Sequence, residues 1–151
     1  MEDPGQGIRR PRLIATWKRA RKGLKRAQRA ARDDALPAEA FHDWRTQVKH
    51  HWYQARLLAP IWPEILIPHV AQADLLGETL GDHNDLDILL TTLEGDPALA
   101  EHPALSPLRV EVMAQRRKLV AQSLLLGARL LAEPPEALAD RWGRWWELWP
   151  G

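Results

Sequence analysis

An all-α fold, an antiparallel four-helix bundle with an extra C-terminal helix, is predicted by three features of the sequence. Apolar residues recur at three- and four-residue intervals along every long segment, nothing reads as a strand or an internal repeat, and prolines cut the chain into pieces of helical length. At 151 residues the chain is long enough for one domain with a buried core. Residues 1–11, rich in Gly and Pro, read as a flexible N-terminus, and residues 12–151 as the bundle.

The first helix is expected from Arg12 to Arg32, because Leu13, Trp17, Ala20, Leu24, Ala27 and Ala31 form one apolar ladder. Lys18, Arg21, Lys22, Lys25, Arg29 and Arg32 make a basic stripe on its flank, with Arg19 and Arg26 further round. Asp33 and Asp34 have the wrong sign for a helix C-terminus and mark its end. After a short link through Pro37, the second helix runs from Ala38 to Leu58 and is closed by Pro60 and Pro63. The third helix runs back antiparallel, from Pro63 or Pro68 to Gly95. Gly77 and Gly81 share a face on which another helix can approach closely. Residues 95–107 hold three prolines and leave room for at most one short turn. The fourth helix is expected from Leu108 to Ala132, with a basic cluster at Arg116, Arg117 and Lys118. A last amphipathic segment, Glu136 to Trp149, carries Leu138, Trp142, Trp145, Trp146 and Trp149 at helical spacing.

The second helix carries the candidate chemistry. On a helical projection His42, Arg45, Lys49, Tyr53 and Arg56 fall in one sector about 80° wide, beside the apolar sector of Phe41, Trp44, Val48, Trp52, Ala55 and Leu58. Long cations bordering a core seam can pack their stems on apolar surface and aim their heads into a groove. No Asp or Glu lies between residues 44 and 58 to pair with them at i,i+4. A groove lined in this way suits an anion, whereas the plain alternative is a solvated basic face.

The net charge of +1 conceals an asymmetry: residues 1–32 hold 11 Lys and Arg against two acids, and the remainder is net acidic. That pattern points to a localised polyanion contact. The absence of cysteine excludes disulfides and thiolate metal sites. No run of 18 apolar residues suggests a membrane span, and a cytoplasmic protein is expected. His83 and Asp87 stand four apart, with Asp82 and Asp85 nearby, but no metal site is expected of them, since acids there can equally pair with the basic helices. The adjacent His50 and His51 point in different directions and make no bidentate site. No P-loop, GxSxG, HExxH or ExExK motif occurs, so no catalytic residue and no cofactor is expected.

His42-x-x-Arg45-x-x-x-Lys49, followed about 40 residues later by Leu80-Gly81-Asp82-His83-Asn84-Asp85-Leu86, resembles the CHAD family of histidine-containing α-helical domains. The resemblance covers roughly residues 12–149 and implies a bundle that binds inorganic polyphosphate along basic helix faces without performing chemistry on it. It marks His42, Arg45 and Lys49 as polyphosphate contacts, with Lys18 to Arg29 as their neighbour across the groove; Thr46 and Trp52 stand where family members often carry a further Arg or Lys. The expected binding set is Lys18, Arg21, Lys22, Lys25, Arg29, His42, Arg45, Lys49, Tyr53, Arg56, Arg116 and Arg117. His42 can donate a hydrogen bond to a phosphate oxygen, more strongly when charged. The family usually joins two such bundles, so a homodimer or a complementary half-domain is expected, the Gly77/Gly81 face or the C-terminal tryptophans supplying the contact. The rival readings are a nucleic-acid-binding protein and a structural protein that coats polyphosphate granules. Trp17, Trp44, Trp52 and Trp142 sit at core spacing, and no nucleic-acid-binding signature accompanies the charge.

Overall fold

In the structure, a computed structural model describing residues 9–33 and 38–151, α1 spans Arg10–Arg32. It starts two residues before the expected Arg12 because Pro11 falls in the first turn, where its missing N–H has no ladder bond to make. Of the expected flexible N-terminus, Arg10 and Pro11 are thus helical, and residues 1–8 lie outside the described residues. So does the link through Pro37. α2 spans Ala38–Leu58, as the sequence predicts, and a 3-10 turn over Ala59–Ile61 follows.

α3 spans Pro63–Gly95. Pro63 opens it, while Pro68 is carried inside it on an exposed position at the loss of one ladder bond. α4 is a single turn, Pro97–Ala100, capped by Asp96 Oδ1, which accepts from the Ala98 N–H at 2.9 Å. α5 spans Leu105–Leu130, beginning three residues earlier than expected because Pro107, read as a breaker, sits in its first turn. α6 spans Pro135–Leu148. The described residues contain no strand, and no helix among them is long and apolar enough to cross a membrane.

Each long helix packs on the next in sequence: α1 on α2, α2 on α3, α3 on α5. The contacting pairs fix the directions. Gln54 meets Thr16 while Trp44 meets Gly23, so α2 runs antiparallel to α1. Lys49 meets Gly77 while Arg45 meets Gly81, and Arg116 meets Asp87 while Arg109 meets Glu94, so α3 opposes both α2 and α5. α1 closes the arrangement against α5 and α6.

The apolar ladder predicted for α1 is its buried face, with Trp17, Ala20 and Ala27 fully enclosed. Trp44 is the central wedge. Its indole lies between two glycines, so that a Cβ at Gly23 would stand 2.7 Å from Cδ1 and one at Gly127 would stand 2.6 Å from Cζ2. Only residues without a side chain let α1 and α5 approach this ring closely enough.

Candidate anion-binding surface

The α2 stripe meets α3 at its two glycines. Lys49 Cγ lies 3.8 Å from where a Gly77 Cβ would be, and Arg45 Nη2 lies 3.1 Å from the corresponding point at Gly81. Gly77 and Gly81 admit another helix, as expected, but the helix is α2 of the same chain. Their face is covered by Lys49 and Arg45, which removes it as the apolar contact of a dimer. Arg45 is half-buried, its Nε enclosed and without a hydrogen-bond partner among the described residues. Lys49, His42, Tyr53 and Arg56 are exposed, and the Arg56 guanidinium rests 5.4 Å from the Trp52 ring.

The α1 cations divide into three groups. Lys22, Lys25 and Arg29 are exposed and unpaired among the described residues, whereas Lys18 reaches Glu136 of α6 at 3.5 Å. Arg19 and Arg26, placed further round by the sequence, line the α1–α2 groove together with Lys22, Asp43, Thr46 and Gln47. Arg26 is partly balanced there by Asp43 at 3.8 Å. The projection of α1 gives the directions of these side chains but not the side on which α2 packs, so it does not place Arg19 and Arg26 in this groove.

Two expected contacts are spent elsewhere. Arg21 Nη1 donates to the carbonyl oxygens of Leu131, Ala132 and Glu133 at 2.8, 2.9 and 2.6 Å. It therefore caps the C-terminus of α5, where bare carbonyls and the negative end of the helix dipole favour a cation. Arg116 is buried and pairs with Asp87 Oδ1 at 2.6 Å across the α3–α5 seam. Both guanidiniums are therefore engaged within the chain. Arg117 is exposed on α5, which meets α3 through Arg109 at Glu94 and Arg116 at Asp87.

Two histidines, His51 and His83, are buried, and His69 is half-buried. His83 packs on Phe41 at 4.7 Å, its Nδ1 3.8 Å from Asp87 Oδ2. Burial lowers its pKa, the Arg116 guanidinium adds to this, and the Asp87 carboxylate opposes it. No group of three His, Cys, Asp or Glu among the described residues is placed to hold a metal ion. His51 and His69 share a hydrogen bond of 2.7 Å between their Nε2 atoms, walled by Trp17 and Trp142. Burial holds His51 well below its ordinary pKa, with His69 adding to the effect. His69 is lowered to about 4, by burial first and then by Arg141, against Glu133. His51 stands in the core sector of α2 between Val48 and Ala55, the signal from which its burial could have been read and was not.

Comparison with known families rests on the same helices. A model of the CHAD domain matches residues 4–94, more than half of the chain, taking in α1, α2 and all but the last residue of α3. No curated protein and no solved structure matches. The family is associated with polyphosphate binding. The matched residues contain both the His42-Arg45-Lys49 stripe and the Gly77/Gly81 face on which it lies, and the chain belongs to the CHAD domain family.

Proposed function

We propose that the chain binds inorganic polyphosphate, without cleaving it, through cations of α1 and α2 carried on an antiparallel four-helix bundle with α6 added. One observation supports this above the others. Arg45 and Lys49 lie along α3 without a carboxylate partner, although Asp74, Glu78, Asp82 and Asp85 stand exposed on that helix and form no ion pair among the described residues. A repeating phosphate chain rewards cations in a row, Arg by bidentate hydrogen bonds and Lys as a point charge. Lys22, Lys25 and Arg29 of α1, with Arg19 and Arg26 in the groove, extend the surface beyond His42, Arg45, Lys49, Tyr53 and Arg56 of α2.

Titration with long-chain polyphosphate at several salt concentrations tests the proposal. Affinity is expected to fall steeply with salt, and Arg45→Ala/Lys49→Ala to reduce the log–log salt slope by about 1 to 2 while leaving helicity intact. Unchanged affinity in that variant removes the site. Single-stranded DNA that competes as well as polyphosphate of equal charge makes the partner any polyanion.

The proposal includes a homodimer or a complementary half-domain. Trp62 and Leu148 are exposed beside Trp145, Trp146 and Trp149, with the Trp62 and Trp145 rings edge to face at 4.9 Å, giving an aromatic patch able to support a contact. Light scattering with and without polyphosphate should give twice the monomer mass. A monomer under both conditions that still binds tightly rules the homodimer out.

A further inference from the structure

We infer that Gly81 is a positioning residue of the anion site, holding the Arg45 guanidinium flat on α3 by having no side chain of its own. The inference rests on the polyphosphate reading above. A Cβ at Gly81 would stand 3.1 Å from Arg45 Nη2 and 3.3 Å from both Cζ and Nε, closer than ordinary van der Waals contact. Space that a methyl group would fill is therefore occupied by the guanidinium plane.

The position has a chemical consequence. With Nε enclosed and unpartnered among the described residues, folding has already stripped Arg45 of part of its hydration. A phosphoryl oxygen arriving at the half-buried guanidinium displaces less water than at a fully solvated one, so more of the charge-assisted hydrogen bond appears as affinity. The antiparallel register of α2 and α3 also places Lys49 four residues along from Arg45, a rise of about 6 Å, so the two heads address successive parts of one chain of anions.

Gly77 provides a control within the same helix. Its Cβ would meet Lys49 Cγ at 3.8 Å, an ordinary contact that moves nothing. Gly77→Ala and Gly81→Ala both replace a helical glycine by the best helix former and so receive the same propensity gain. Only the second must lift a cation.

Both variants are compared with the wild-type chain for polyphosphate affinity, thermal midpoint and the water exchange of the Arg45 Nε–H resonance. Gly81→Ala is expected to bind about threefold or more weakly, with fast Nε–H exchange and no loss of thermal midpoint. Gly77→Ala is expected to match the wild type in affinity and exchange. If Gly81→Ala binds as tightly as Gly77→Ala while Arg45→Ala is impaired, the inference falls and the polyphosphate reading stands. A wild-type chain that binds no polyphosphate overturns both.

Discussion

Gly127→Ala is expected to cost about 3 kcal/mol or more, one of the largest losses a single methyl can cause in this chain. The added carbon would stand 2.6 and 2.8 Å from Trp44 Cζ2 and Cη2 and 3.2 Å from Leu24 Cδ1. Relief would require the indole to retreat, but its other edge is held by α1 at Gly23, and Trp44 is wholly buried. The gain in helix propensity, about 1 kcal/mol, is too small to offset this. Gly143→Ala, which meets nothing within 4 Å, is expected to be neutral or stabilising. Urea unfolding of the two variants side by side makes the measurement, and equal midpoints would refute the wedge. Trimming the ring with Trp44→Phe should recover part of the loss in Gly127→Ala, since the two positions share one space.

The second large effect comes from acid. An unfolded histidine takes up its proton near pH 6.5, but folded His69 does so only at about 4, and His51 is also held well below its ordinary value. Below pH 6.5 the unfolded chain binds protons that the folded chain refuses, so stability falls as pH drops from about 6.5, and the His69 share of the loss saturates below about 4. From His69 alone the loss approaches about 3 kcal/mol at pH 4, and buried His83, lowered in the same direction, adds to it. At neutral pH the His51–His69 bond requires one ring to donate and the other to accept, a pairing that a proton on the accepting nitrogen abolishes. Replacing both histidines by leucine should flatten the pH dependence of the urea midpoint across this window. A double variant with the full wild-type slope would assign the acid sensitivity to other groups.

The helices were legible in the sequence because their signals are local. The bounds of α2 follow from its apolar sector and from Pro60 and Pro63, and the buried ladder of α1 follows from its three- and four-residue spacing. The end of α1 at Asp33 was legible as well. The roles of individual cations were not. Arg21 and Lys22 are chain neighbours of the same sign, yet one caps α5 and the other faces solvent and the α1–α2 groove. What separates them is the placement of residues 131–133, more than a hundred positions away. Arg116 and Arg117 divide in the same way, because Asp87 is opposite only the first. Helical periodicity tells which residues share a face, whereas the identity of the neighbour on that face is a property of the assembled chain. Gly77 and Gly81 show both halves of this: close approach was readable, but that α2 would supply the approaching side chains was not.

The fastening of α1 to residues 131–133 sets the order in which the molecule can be completed. Trp17 Nε1 donates to the Glu133 carbonyl at 2.7 Å, and Arg21 donates to that carbonyl and the two before it, across 110 to 116 positions of chain. α1 is made well before the groups that lock it. α1, α2 and α3 can pair through short links, but the closing contacts must bridge more than a hundred residues and bear that loop-closure entropy. Until α5 ends and α6 docks, Trp17 is an aromatic ring without its lid and Arg21 a cation without its carbonyls. A chain interrupted after α3 holds both cation-bearing helices but lacks the seam that closes them.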